Sequence, residues 1–328
     1  LWYWQFGDAP SGASNLATTQ NPSHLFTSPG IHHIRFSTIT TAGCISDTID
    51  VPIDIPVLPA AAISGNARVC QNGNAPQITF TGSGGTAPYT FTYKINNGTP
   101  QTISTTGNAS TVTVNAPTNV AGTFIYTLLK VENTGSSLCQ QAQSGTATIT
   151  VDPLPTAVID VSNILCRNSI VNFSSNNSLA NAGTITSWDW HFGDAASGPA
   201  NSSVIANPSH TFNQAINYTV TLQVTSSLGC VSPVVNRAVA IHKLPKAGFK
   251  VPEICLLDSY AEFTDTSSAS SPDVISAWEW NFGDATAGPG NPNTVTGAGV
   301  VRHTYHAVGN YTVTLIAITD KGCRDTLP

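Results

Sequence analysis

Trp188-Asp-Trp190-His-Phe192-Gly193-Asp194 is the stretch from which the rest of the chain can be read. Trp188, Trp190 and Phe192 occupy alternate positions, so in a strand they share one face and point into one core. The stretch recurs as Trp2-Tyr-Trp4-Gln-Phe6-Gly7-Asp8 and as Trp278-Glu-Trp280-Asn-Phe282-Gly283-Asp284. Each copy leads into a polar loop rich in Gly, Pro and Asn, and then into His24-Leu-Phe26, His210-Thr-Phe212 or His303-Thr-Tyr305. An alternating strand ending in cysteine follows. The step from Gly30 to Cys44, from Ile216 to Cys230 and from Gly309 to Cys323 is 14 residues each time. Trp190 to Trp280 is 90 residues and Trp4 to Trp190 is 186, or two units of about that size. Self-similarity at a fixed period marks a repeat architecture.

The remaining unit lies between the first and second copies. Residues 58–153 lack the Trp string but keep alternation in Thr86-Ala-Pro88-Tyr89-Thr-Phe91-Thr-Tyr93, with Asn96-Asn97-Gly98 as a hairpin turn signal. Gly122-Thr-Phe124-Ile-Tyr126-Thr-Leu128 then approaches Cys139 as the other late strands approach their cysteines. Val57-Leu58-Pro59, Leu154-Pro155 and Leu244-Pro245 mark the joints, because proline fixes φ and removes a hydrogen-bond donor. The expected organisation is four blocks, 1–57, 58–153, 154–243 and 244–328, joined by short stiff linkers. In Tyr218-Thr-Val220-Thr-Leu222-Gln-Val224 the apolar residues fall on one face, and Tyr311, Val313, Leu315 and Ala317 repeat this. Many short strands per ninety residues predict an all-β chain of seven-stranded antiparallel sandwiches.

Bulk composition agrees. The 328 residues suit two to four compact units, and 41% are hydrophobic against 9% charged. The polar share is Thr, Ser, Asn and Gly, which favours strands and turns over long helices. A net charge of −6 with 12 scattered basic residues argues against nucleic acid, which needs a concentrated basic face. There is no run of 18 apolar residues, so no transmembrane helix is expected. The chain has no Met, and Leu1 already lies in a strand-like pattern with no signal peptide ahead of it, so a mature fragment or a piece of something longer is expected.

The Trp-x-Phe-Gly-Asp string, then His-Thr-Tyr/Phe, then Gly-x-Tyr-Thr-Val-Thr-Leu, closely resembles the polycystic-kidney-disease (PKD) domain. The resemblance covers the third and fourth blocks nearly throughout and the later part of the first. It implies immunoglobulin-like sandwiches of a surface protein. The second block is similar to the PKD-like modules of very long Bacteroidota surface proteins, commonly adhesins, gliding-related filaments or cargo of type IX secretion. Departures are Gln5, His191 and Asn281 where the family usually has Asp, Ala9, Ala195 and Ala285 where it has Gly, and His32 in place of Tyr218 and Tyr311. With His32 there, no aromatic hydroxyl can anchor a corner in the first block.

Seven cysteines, none spaced C-x-x-C, favour disulfides and an oxidising compartment over zinc. Blocks two to four each hold one early and one late cysteine. The expected staples are Cys70 with Cys139, Cys166 with Cys230 and Cys255 with Cys323, each worth roughly 4 kcal/mol on the chain-entropy model. Cys44 is left over, with a partner expected outside the chain. The first block then reads as N-terminally truncated and the last as lacking its final strand, whether the missing strands belong to a longer array or to a neighbouring subunit.

Other chemistry is thin. Asp8, Asp194 and Asp284 are weak Ca²⁺ candidates, since calcium wants six or more oxygens and no acidic partners lie nearby; an Asx-type turn is the plainer reading. His24, His210 and His303 recur once per block and suit a hydrogen-bonded structural role better than a metal site. His32 and His33 are adjacent, so on a strand they point to opposite faces. No nucleophile elbow, zinc-binding helix or phosphate loop is present, and Glu132, Glu253, Glu262 and Glu279 are dispersed, so no catalytic residue and no cofactor is expected. Asp47-Thr48-Ile49 and Asp325-Thr326-Leu327 resemble Bacteroidota O-glycosylation sites at Thr48 and Thr326. The expected function is a structural repeat segment of an extracellular fibre or stalk, partnered by itself or by flanking domains of the same long chain. The rivals are a glycan- or host-binding adhesin segment, with loops 195–209 and 285–301 as contacts, and a non-catalytic spacer of a secreted hydrolase.

Overall fold

The computed structural model describes residues 1–133, 139–255, 258–297 and 299–328. Ala298, within the second candidate contact loop, lies outside the described residues. The fold is all-β and immunoglobulin-like, divided into two compact units, Leu1–Asp152 and Pro153–Pro328.

In the first unit, Trp2–Gln5 pairs on one side with Leu16–Ala17 and on the other with Gly30–Thr38, which carries Ile49–Ile55 on its far edge. Residues 60–152 build a three-stranded and a six-stranded sheet. Alternation decides what faces inward. Ile78 and Phe80 from one sheet meet Tyr89, Phe91, Tyr93, Tyr126, Leu128 and Ile149 from the other in one core. The Asn96-Asn97-Gly98 turn joins Tyr89–Ile95 to Gln101–Ser104 as an antiparallel hairpin, with Asn96 at φ 50°. Ala67–Cys70 departs from the antiparallel pattern and runs parallel to Thr146–Asp152, as the chain enters along its own last strand.

In the second unit the same seven-stranded plan occurs twice among the described residues. Asp160–Val161, Ile170–Ser174 and Ser209–Thr211 face Ser202–Ser203, Ile185–His191, Asn217–Ser226 and Val235–Ala240. Phe249–Lys250, Ala261–Asp265 and Val300–His303 face Thr294–Thr296, Ile275–Asn281, Thr314–Thr319 and Arg324–Leu327. Even the register shift on the tryptophan strand repeats, between Ile185 and Ser187 and between Ile275 and Ala277. Trp190, Phe192, Phe173, Phe212, Val220 and Leu222 fill the first core, and Trp280, Phe282, Phe263 and Leu315 the second. Burying each of these side chains is worth about 1.5–3 kcal/mol.

The disulfides overturn the staples expected within each block. Cys166 bonds Cys323, 157 residues away, with Cα atoms 5.5 Å apart. Cys70 and Cys230 are also disulfide-bonded, whereas Cys44, Cys139 and Cys255 are free. Hence neither Cys70–Cys139, Cys166–Cys230 nor Cys255–Cys323 forms. Strand length is the reason. Cys166 bridges His242, just past Ala240, which pairs with Asn217, whereas Cys230 follows Ser226 at the other end of the same strand. Nine steps of extended chain put these ends about 30 Å apart, and a disulfide tolerates Cα separations of only about 7 Å. In the second block, likewise, Cys70 pairs beside Asp152 near the Gly122 end of Gly122–Asn133, and Cys139 lies at the Asn133 end.

What Cys166 does meet is the next sandwich. After Ala240 the chain passes His242 and reaches the fourth block, whose Thr319–Cys323 turn lies against the Cys166 end of the third. His242 Nδ1 lies 3.1 Å from the Asp273 carboxylate, and the Ala247 N–H donates to Asp325 Oδ2 at 2.8 Å. The junction within this unit is therefore held by a covalent bond and a His–Asp contact, while the Ala247–Asp325 bond fixes the first residues of the fourth block to its own last strand.

Candidate functional site

The recurring chemistry is a buried aspartate–histidine clamp, present three times. The Trp strand ends in Gly-Asp, and the aspartate carboxylate meets the histidine that enters the later strand. His24 Nε2 lies 3.1 Å from Asp8 Oδ2, His210 Nε2 3.0 Å from Asp194 Oδ2, and His303 Nε2 3.0 Å from Asp284 Oδ2. A carboxylate only accepts, so Nε2 carries the proton. All six side chains are at most 6% exposed. Each imidazole stacks on the motif phenylalanine, with centroids 4.3 Å apart at Phe6 and 4.5 Å at Phe192 and Phe282. Each also meets Phe26, Phe212 or Tyr305 edge-on.

Backbone geometry sets the aspartate in place. Gly7, Gly193 and Gly283 have φ of 70°, 72° and 67°. A Cβ there would stand 2.7 Å from the His33 carbonyl oxygen, or 2.5 Å from that of Thr219 or Thr312. Only glycine meets both demands. The Asp8, Asp194 and Asp284 N–H groups each donate to an asparagine Oδ1 at 2.7 Å, that of Asn15, Asn201 or Asn293. The same asparagines accept through their carbonyls from Phe6, Phe192 and Phe282. In the loops between, Ala9–Asn15 and Ala195–Asn201 form short 3₁₀ turns.

In blocks one and four a threonine takes up further carboxylate capacity. Thr27 donates its N–H to Asp8 Oδ2 and its hydroxyl to Oδ1, at 2.9 and 2.8 Å. Thr286 donates both groups to Asp284 Oδ1, an Asx-type turn of the kind expected at all three aspartates, whereas the donor at Asp8 is Thr27, 19 residues on. Burial pushes the Asp8 carboxyl up, but the Thr27 and His24 hydrogen bonds outweigh it and hold the group below the ordinary carboxylate value. The Thr286 hydroxyl, then His303, hold Asp284 low in the same way. These carboxylates are committed to protein donors, and among the described residues no three His, Cys, Asp or Glu side chains converge on a metal position.

In the first block, where no aromatic hydroxyl is present at the corner, the His32 imidazole makes the corner contact instead. Tyr218 and Tyr311 donate their hydroxyls to the carbonyls of Gln214 and Ala307, four residues back. His32 Nε2 reaches the Ser28 carbonyl, also four back, at 2.8 Å, while Nδ1 reaches the Gly7 carbonyl at 3.0 Å. Both acceptors are carbonyl oxygens, so both bonds form together only when the ring is protonated. The bonds to Gly7 and Ser28 accordingly raise its pKa above the usual histidine value against the pull of burial, with the Asp8 charge adding to them.

The other candidates are separate from the clamp. Thr48 is exposed just ahead of Ile49–Ile55, and Thr326 is exposed on Arg324–Leu327. The 195–209 loop walls an open groove of about 720 Å³, together with His210, Thr211 and Ile170. Taken singly, neither the Asp nor the His reveals the partnership. The available signal was that both recur in blocks one, three and four and are missing together from block two.

A family model described as PKD domain matches residues 152–241 and 244–327, just over half of the chain. Among solved structures, the chain is similar to a Ca²⁺-stabilised adhesin with which an Antarctic bacterium reaches out and binds ice. That similarity has 11% identity, 99% of this chain and 88% of that one covered, and a TM-score of 0.41. It is also similar to the FN1–FN3 domains of chicken CNTN1, at 12% identity over 82% and 95% of the two chains, with a TM-score of 0.30. Both are distant likenesses.

Proposed function

This chain belongs to the PKD domain family, and on that basis we propose that it is a structural repeat segment of an extracellular cell-surface fibre or stalk. Its work is to hold tandem sandwiches in line and to make contacts with further copies or flanking domains. The observation that carries this reading is the Cys166–Cys323 bond, which ties one sandwich to the next rather than closing a sandwich on itself. A linker left to fluctuate would let neighbouring domains reorient; a covalent bond beside the Leu244-Pro245 joint opposes this.

An extracellular setting fits, because disulfides persist in oxidising compartments, and no described helix is long and apolar enough to cross a membrane. The three aspartate–histidine clamps serve the fold, each joining the end of the Trp strand to the later strand through a buried Asp–His contact. No catalytic step is assigned to the chain.

Small-angle scattering of the full chain, oxidised and reduced, tests this reading. An elongated particle that grows more variable in length on reduction is expected. A compact profile unaffected by reduction would count against it. Binding on a glycan array that disappears when loop 195–209 is replaced would favour the adhesin reading instead.

A further inference from the structure

Two free thiols occupy the same local settings as the two halves of the Cys166–Cys323 bond. Early cysteines open a turn in which their carbonyl accepts an N–H three residues on. Ser169 donates to Cys166 at 3.1 Å, and Asp258 to Cys255 at 2.9 Å. Late cysteines close a turn in which their carbonyl accepts an N–H from four residues back. Thr319 donates to Cys323 and Thr40 to Cys44, both at 2.9 Å. In both late turns a threonine hydroxyl also accepts from the cysteine N–H at 3.1 Å, and the preceding glycine has φ of 79° or 84°. Cys255 is thus a second Cys166, and Cys44 a second Cys323.

The difference lies in occupancy. Cys166 and Cys323 are buried against each other, 2% and 0% exposed, whereas Cys44 and Cys255 are exposed. Cys255 itself lines a cavity of about 230 Å³ together with Tyr260, Tyr305 and Tyr311, so its thiol is open to an incoming side chain.

We propose that Cys255 and Cys44 are open halves of this staple, and that Cys255 of one copy bonds Cys44 of a second copy. The inference rests on the array reading and deepens it by naming the bond and the partner. The chemistry balances with a small disulfide such as oxidised glutathione as oxidant. The Cys255 thiolate attacks it and releases one glutathione thiolate. The Cys44 thiolate then attacks the mixed disulfide and releases the second, so one S–S bond forms as another is reduced.

The test is to treat the full chain with oxidised glutathione and follow it by non-reducing electrophoresis and peptide mass mapping. Wild type should give a ladder of multimers with a Cys44–Cys255 peptide and an intact Cys166–Cys323 peptide. C44S and C255S alone should stay monomeric, their equimolar mixture should stop at a dimer at least tenfold above either alone, and C139S should behave as wild type. Prior capping with N-ethylmaleimide should abolish the ladder, which checks the result without any substitution. A ladder that survives in C44S or C255S, cross-links joining like to like, or no cross-link at all would overturn the proposal. Scattering from the capped monomer reads the array independently, so the two ideas can fail separately.

Discussion

The third block and the first carry the same clamp in different surroundings. Asp194 and Asp8 hold their histidines within 0.1 Å of the same distance, and the asparagine contact is 2.7 Å in both. Around Trp190, Val220, Leu222, Val224 and Phe212 are fully buried, because a three-stranded sheet covers the four-stranded one. Residues 1–57 form only the four-stranded sheet among the described residues; Trp2 is 38% exposed and Ile31, Ile49 and Val51 more so. The clamp is therefore local, set by a glycine, an asparagine and a histidine within some twenty residues, whereas burial of the tryptophan face depends on a second layer.

The largest expected contrast is at the tryptophan. Trp190→Ala should cost about 3–5 kcal/mol, as for a fully buried aromatic, and Trp4→Ala clearly less, by denaturant unfolding followed with block-specific hydrogen exchange. Equal costs would break the distinction between local clamp and layered core. Next come the glycines. Gly193→Ala and Gly7→Ala should each cost about 2–4 kcal/mol, from left-handed strain plus backbone overlap, and the two should match if the turn is as local as its geometry indicates. Cys166→Ser should raise exchange of the 243–247 amides at least tenfold and leave the Val220 and Leu315 amides unchanged, since those sit in separately closed cores.

The smallest effects are in pH. His32 has a raised pKa, so its contribution is fully present below its unfolded value near 6.5 and is lost as pH rises through the higher folded value. Protection of the amides around Gly7 and Ser28, relative to their intrinsic exchange rates, should therefore fall at alkaline pH and not around Gln214, where burial raises the Tyr218 hydroxyl and keeps it neutral. His32→Tyr should erase the difference. Asp8 and Asp284 have lowered values, so their contribution is present above about pH 3.8 and lost as pH falls through the folded value. Acid should loosen both clamps, read by the His24 and His303 ring signals in NMR.

Much of this was legible in the residues. Alternation at Tyr218, Val220, Leu222 and Val224 and the threefold Trp string led directly to sheets, inward faces and the family, because a period of two leaves one face for the core. The clamp was half legible, since Asp and His recur together but stand 16 to 19 residues apart across a loop. The His32 corner was not legible, because which carbonyls the imidazole nitrogens reach is set by how Gly7 and Ser28 fold around it.

Strand pattern, repeat period and the glycine turns follow from the chain's own covalent preferences, which act over a few residues and can be read in order. Cysteine pairing does not, because a bond forms between thiols that the folded strands bring within reach. A ten-residue strand carries the early and late cysteines of one sandwich to opposite ends, and stacking of the third and fourth blocks brings Cys166 to Cys323. Distance along the sequence held no trace of that; only the packed sandwiches decided it.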